Sequence, residues 1–318
     1  MTRYILIKIL RSIFTLWIVV SAVFLVLRVS GDPIYSIFSL GIPESTLDVF
    51  RVKWGIDKSI FEQYLIYFQD LLRGDFGTSF FDGQSAWLLV TERLPKTLLL
   101  GGTTFFISVV FGVTLGSIAA LLRGTAWDRG IMTAAVASFS MPSYFLALLL
   151  ILFFSLELRW LPTAGASTWK HLILPATTLG LTLSGTVARF TRSAMLEVLR
   201  QSYMRTARAK GAPRWRQIAW HALPNAAIPT ITVIGFQLGW LIGGSVVIET
   251  VFSWPGAGRL FIVAVGVRDF AVVQMRSEEH TSELQSRRKA GCRLLLEKKN
   301  HLLLDQSRRV RCVDKSFE

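Results

Sequence analysis

Cysteine is almost missing from this chain. Two occur in 318 residues, Cys292 and Cys312, both near its end. The body therefore has neither a disulfide framework nor a cysteine-based metal site. Charge is scarce too: 18% of residues are Asp, Glu, Lys or Arg, against about 25% in a soluble domain. The few Asp and His residues are scattered, and no acid–base pair within reach of one substrate atom can be assembled from them. There is no G-x-x-x-x-G-K-[ST] loop for a nucleotide and no H-E-x-x-H for zinc. Neither GTVAR (185–189) nor GAPRW (211–215) resembles a nucleophile elbow. These absences predict no catalytic residues, no cofactor and no metal.

What is present is apolar sequence in long uncharged blocks. Hydrophobic residues make up 52% of the chain, and the mean hydropathy is +0.46. About 20 apolar residues cross a bilayer as a helix. The blocks 12–27, 97–122, 130–156, 172–188 and 222–248 therefore predict an all-α, polytopic membrane protein. Its five transmembrane helices fall at about 9–29, 97–122, 130–156, 172–190 and 222–248. The apolar run 260–267 is too short to cross. The first block follows Arg3, Lys8 and Arg11 as a signal peptide would, but no small-residue cleavage site follows it. It reads as a retained anchor.

Details within the blocks carry further expectations. No span has a charge in its middle, which counts against a carrier built around a buried carboxylate. Gln237 reads as an interhelical hydrogen-bonding group or one facing a cavity. Gly112 and Gly116, and Gly235, Gly239 and Gly243, recur at four-residue intervals that let helices approach closely. Pro142, Pro175, Pro224 and Pro229 predict kinks, or bends lining a path. Residues 61–74 have helical spacing, with Phe61, Tyr64, Leu65, Phe68 and Leu71/Leu72 on one face and Gly74 at the end.

The formal charge of +14 is read as positive-inside bias rather than nucleic-acid binding. Segment 189–221 has eight Lys or Arg and one acid, Glu197; segment 31–96 has six against nine acids. Short basic loops stay in the cytoplasm. That places the N-terminus, 123–129 and 189–221 inside, with 31–96 periplasmic.

The most basic stretch is also the most distinctive. Residues 195–209 have a helical pattern, Gly211 stops it, and Pro213 suits the start of a second helix. In that second helix Trp215, Ile218, Ala219 and Ala222 share a face. Such a hairpin fits either anionic lipid or a groove in a soluble subunit. His221 reads as a group at the membrane edge rather than a catalytic one.

The stretch YMRTARAKGAPRWRQIAWHALPNAAIP (203–229) resembles the cytoplasmic loop of permease subunits of ABC importers, in the dipeptide/oligopeptide/nickel branch. The family signature is usually written with Glu-Ala-Ala; Thr206-Ala207-Arg208 stands there, a form normal for this branch, and Gly211 matches the glycine. LLRGDFGTSF (71–80), ERLPKTLLL (92–100), LPTAG (161–165) and VVIETVFSWPGAGRL (246–260) extend the similarity over about residues 1–275. The resemblance implies a six-span permease in a bacterial or archaeal cytoplasmic (inner) membrane. It also implies a second homologous permease subunit, two cytoplasmic ATP-binding subunits and a periplasmic or lipid-anchored substrate-binding protein. Arg205, Thr206, Ala207, Arg208, Ala209, Lys210, Gly211, Ala212, Pro213, Trp215 and His221 would form the loop coupled to the ATPase. The transported solute would be di- or oligopeptides or a related solute such as nickel. A secondary carrier working without an ATPase, or a non-transporting membrane scaffold, is the alternative.

The end of the chain departs from this pattern. Residues 276–286, RSEEHTSELQS, resemble an in-frame translation of a sequencing adapter. Residues 276–318 are thus expected to be an artefactual tail standing where the branch has its sixth span.

Overall fold

The computed structural model describes residues 2–29, 31, 34–37 and 43–275. The adapter-like stretch and the rest of the tail lie outside the described residues. Thirteen α-helices are present among the described residues: α1 (Thr2–Val29), α2 (Ile34–Ile37), α3 (Glu44–Lys53), α4 (Ile60–Leu72), α5 (Ala86–Leu121), α6 (Ala126–Ser140), α7 (Ser143–Leu150), α8 (Lys170–Val198), α9 (Ser202–Ala209), α10 (Arg214–Arg216), α11 (Leu223–Gly244), α12 (Val246–Val251) and α13 (Ala257–Gly266). Two wider π-helical stretches, Ile151–Glu157 and Gln217–Ala222, prolong α7 and α10.

The fold is all-α, and among the described residues three helices are long and apolar enough to cross a membrane: Leu6–Val29 of α1, α5 and α8. A fourth crossing comes from α6 and α7 with its π extension, if they are taken together. The run 130–156 reads as one helix in sequence, but the chain bends there by 107°. The cause is local. Pro142 disfavours helical geometry at the residue before it, and Met141 is extended at φ −83°, ψ 130°.

Packing sets the direction of each helix. Leu100 of α5 clusters with Leu174 and Leu179 of α8, and Ala120 with Ala194 and Met195. The pairings advance together along both helices, so α5 and α8 lie side by side in parallel. The bent pair must therefore return the chain from one end of the bundle to the other. α11 runs back: Ala226 joins the cluster around Ala120, and Ile248 beyond it joins the cluster around Leu100. Midway, Ser108 Oγ donates to Gln237 Oε1 (3.3 Å) and Gln237 Nε2 donates to the Leu183 carbonyl (3.0 Å). Gln237 thus ties three helices together.

Close approach of α5 and α8 rests on missing side chains. A Cβ on Gly112 would stand 2.4 Å from Val187 Cβ, and one on Gly116 would stand 2.5 Å from the Ala188 carbonyl oxygen. Gly235 behaves differently: nothing lies within 4 Å of its Cβ position, so this one glycine marks no tight contact.

At the end where α5 starts, α4 lies against α1. Phe24 of α1 meets Tyr64 edge-on at 5.4 Å and Tyr67 in a stack at 5.5 Å. The inward face is thus Gln63, Tyr64, Tyr67 and Phe68, while Phe61, Leu65 and Leu72 are exposed. A Ser59–Glu62 capping box starts α4, and Gly74, at φ +80°, follows its end.

Candidate functional site

Gly211 is the turning point of the basic segment. Its φ of +71° lies in the left-handed region that costs other residues energy. Around it the end of α9 is closed by backbone bonds from Gly211 N to Arg208 O (2.9 Å) and from Ala212 N to Ala207 O (3.2 Å). Gln217 Nε2 then donates to Ala212 O (2.6 Å), locking the turn to the next helix. A Cβ on Gly211 would meet nothing within 4 Å. The glycine is thus required by backbone geometry alone.

The predicted helix 195–209 is two helices. α8 ends at Val198, and α9 starts at Ser202 after a turn with Gln201 extended. The break lets α9 fold back, burying Met204 completely among Ala120, Ala194, Met195, Ala222 and Ala226. Met204 is the plug that fastens the hairpin to the end of the bundle.

The second helix also differs from its predicted face. Ile218 and Ala222 turn inward, while Trp215 and Ala219 are exposed. The reason is the π-helical stretch Gln217–Ala222: its wider turn rotates side chains out of the register of an α-helix. Asn225 Nδ2 bonds the His221 carbonyl (2.7 Å), and the His221 side chain remains exposed.

The hairpin therefore presents Arg205, Thr206, Arg208, Ala209, Lys210, Gly211, Pro213, Trp215 and His221 at its surface, with Ala207 and Ala212 half-buried. Arg214 and Arg216 are exposed as well, the latter with its guanidinium 5.5 Å from the Trp215 ring. No salt bridge involves these cations among the described residues. The arrangement is a cationic surface with an aromatic centre, held on Met204, Ile218 and Ala222.

Three polar constellations escaped sequence reasoning. At the hairpin end, Asp128 and Arg192 form a two-point ion pair at 2.7 Å through Nε and Nη2. The pair joins the start of α6 to α8, and Gly124 N adds a third bond to the carboxylate (3.0 Å). At the other end, Glu249 is fully buried. Its carboxylate accepts from Thr97 Oγ1 (3.0 Å), Ser245 Oγ (2.9 Å) and Arg259 N (3.0 Å). Gly256 and Gly258 make room for it, since a Cβ on either would stand 2.4 or 2.8 Å from Glu249 Oε2. Beside it, Trp254 Nε1 bonds the Lys96 carbonyl (3.0 Å). Finally, buried Asp269 accepts from Ser79 Oγ and from Phe80 N. Burial pushes its carboxyl above the ordinary carboxylate range, against the opposing effect of those hydrogen bonds. Only the glycines around Glu249 offered a sequence signal, in SWPGAG (253–258). No group of three or more His, Cys, Asp or Glu side chains that would hold a metal is present among the described residues.

Comparison with known proteins places this geometry. Residues 112–282 match the family described as binding-protein-dependent transport system inner membrane component. Residues 1–101 match its N-terminal counterpart. The chain is 41% identical over 275 residues to the glutathione transport system permease protein GsiC of Escherichia coli (strain K12), covering 86% of this chain and 90% of that protein. It is 42% identical, with the same coverage, to the protein of that name from Salmonella choleraesuis (strain SC-B67). Among solved structures, a chain of the MetNI methionine ABC transporter in an inward-facing conformation aligns with a TM-score of 0.55. It has 20% identity and covers 66% of this chain and 96% of that one, a likeness of fold.

Proposed function

Because the chain belongs to the inner membrane components of binding-protein-dependent transport systems, the permease subunits of ABC importers, we propose that its 205–221 hairpin is the surface pushed by an ATP-binding subunit. The observation that carries this reading is the exposed, acid-free cationic hairpin, hinged at Gly211 and fastened by Met204 to the ends of α5 and α8. Force applied to the hairpin would pass directly into the two helices packed most closely in the bundle. The chain forms half of a translocation path with a second permease subunit. Two ATP-binding subunits supply the ATP chemistry, and a binding protein delivers the solute. The solute class is short peptides or a related solute such as nickel; the relatives are named for glutathione, itself a tripeptide.

The permease domain is 1–275, with the N-terminus, 123–129 and 189–221 in the cytoplasm and 31–96 periplasmic. α1, α5, the bent pair, α8 and α11 make five crossings, and residues 276–318 stand in place of the sixth. Two features support this placement. The parallel course of α5 and α8 requires a return crossing between them. Six of the seven exposed tryptophans among the described residues also fall in two groups, Trp127, Trp215 and Trp220 near the hairpin and Trp87, Trp160 and Trp169 toward the other end, as interfacial belts would place them, while Trp17 lies within α1.

The test is reconstitution of the chain with its partner subunits in liposomes. Uptake of short peptides should require ATP. Gly211→Val should leave ATP hydrolysis running while uptake falls at least about tenfold, because the hinge no longer seats the hairpin. Cysteine labelling of 205–221 from the side opposite the ATP-binding subunits would sink the reading. Full uptake without those subunits would return the secondary carrier.

A further inference from the structure

α4 has three faces. Tyr64 and Tyr67 turn toward α1 and pack on Phe24. Phe61, Leu65, Phe68 and Leu72 follow at intervals of four, three and four residues, the spacing of one helix stripe. Phe61 is 68% exposed, Leu65 53% and Leu72 88%. Glu62 and Gln69, with Arg73 just past the helix end, form an adjoining polar face that is also exposed. Single exposed apolar side chains are ordinary, but a contiguous stripe rimmed by polar residues marks a surface that meets something other than water.

What the stripe meets follows from the depth at which α4 joins α1. The inference rests on α1 crossing the membrane, as proposed above, and not on the hairpin. Between Arg11 and Arg28 α1 carries no charge. Residues 12–27 are about 24 Å long as a helix, shorter than the roughly 30 Å hydrocarbon core. The run therefore lies inside the core, with Arg28 at its edge. Phe24 is about 6 Å below Arg28 along the helix, and Ser21 about 10 Å below it. These are the two residues that α4 holds. The Tyr64 hydroxyl shares a 2.8 Å hydrogen bond with Ser21 Oγ, and the Tyr64 and Tyr67 rings stand 5.4 and 5.5 Å from Phe24. At that level α1 itself exposes Leu25 and Val26, so lipid reaches the depth at which α4 is fastened.

We propose that α4 is an interfacial helix, its stripe of Phe61, Leu65, Phe68 and Leu72 seated among the acyl chains of the outer leaflet and its Glu62, Gln69 and Arg73 face turned to the periplasm. An interfacial helix buries its apolar face about 5–10 Å into the boundary between headgroups and acyl chains, the depth at which the tyrosines reach Phe24 and Ser21. Tyr64 and Tyr67 suit that boundary, where an apolar ring and a polar hydroxyl are both satisfied. The charges fit the same orientation, since the stripe carries none and the adjoining face carries both an acid and a base. Segment 31–96 thus stays on the periplasmic side, with one of its helices anchored in lipid.

The test is spin-label depth measurement on the full chain, with Cys292→Ser and Cys312→Ser, reconstituted in phosphatidylcholine vesicles. Single cysteines are introduced by Phe61→Cys, Leu65→Cys and Leu72→Cys on the stripe, by Gln69→Cys and Arg73→Cys on the polar face, and by Ile18→Cys on α1. All these positions are exposed, so the labels leave the packing intact. Oxygen concentrates in hydrocarbon, and a nickel chelate stays in water. Stripe labels should relax more with oxygen than with nickel, and the order should reverse at 69 and 73. The label at 18 should report hydrocarbon. Nickel-dominated relaxation at 61, 65 and 72, with 18 in hydrocarbon, would overturn the proposal and leave the α1 crossing intact. A stripe shielded from both reagents would overturn it in favour of a covering protein surface. A label at 18 in water would overturn the crossing, and the proposal with it.

Discussion

The basic hairpin and the opposite end of the bundle handle charge in opposite ways. At the end where α5 starts, acids are buried and bonded: Glu249 with three donors, Asp269 with Ser79 and Phe80. At the end where α5 and α8 finish, the hairpin cations Arg205, Arg208, Lys210, Arg214 and Arg216 are exposed and in no ion pair. A buried, fully satisfied polar network specifies one geometry. Exposed cations on a hinged hairpin specify almost nothing within the chain, so their charge is available to another surface. The difference separates a part that holds one geometry by its own bonds from a part whose charge the chain itself leaves unengaged.

The comparison can be broken most forcefully at Glu249. Glu249→Ala would leave Thr97 Oγ1 and Arg259 N–H without their carboxylate acceptor, costing about 3–5 kcal/mol. Its thermal unfolding in detergent should occur well below that of the unaltered chain, and an unchanged Tm would show that this end is not held by the network. Met204→Ala tests the fully buried anchor of the hairpin. Removing a fully buried methionine costs about 2–4 kcal/mol, and proteolysis within 199–213 should accelerate while the rest of the chain stays resistant. Resistance equal to the unaltered chain would mean that the hairpin is fastened elsewhere.

A subtler test uses pH. The folded carboxyl of Asp269 is raised above its unfolded value, so its contribution to stability is fully present below about pH 4. It is lost as pH rises through the elevated folded value. Asp269→Asn should flatten that part of the Tm-against-pH curve; an identical curve would remove Asp269 from the account. The smallest effect on stability is expected from neutralising Arg214 and Arg216 together. The change in folding free energy should stay within about 0.5 kcal/mol, while co-purification of ATP-binding subunits falls. A large loss of stability would show that these cations serve the fold after all.

Much of this division was visible before folding, for reasons that differ by element. The apolar blocks announce helices because burial in lipid demands internally satisfied backbone and apolar side chains, a property of composition. Gly211 announces its turn because positive φ is cheap only for glycine. The face of α10 was misread because a π-helical stretch leaves no mark in a 3.6-residue pattern. The bend at Pro142 was legible as a proline, but its angle was not, since a proline marks where a helix breaks and not how far the next one turns. Ser79 and Asp269 are 190 positions apart in the chain, and no spacing rule links them.

Sequence alone thus determined that the chain is a helical membrane protein with a basic hairpin hinged at a glycine, because these follow from composition and single-residue backbone preference. Tertiary structure decided which helices run parallel, where Met204 docks and which donors surround Glu249. Those are contacts between distant segments, and their energies exist only once the chain has brought the groups together.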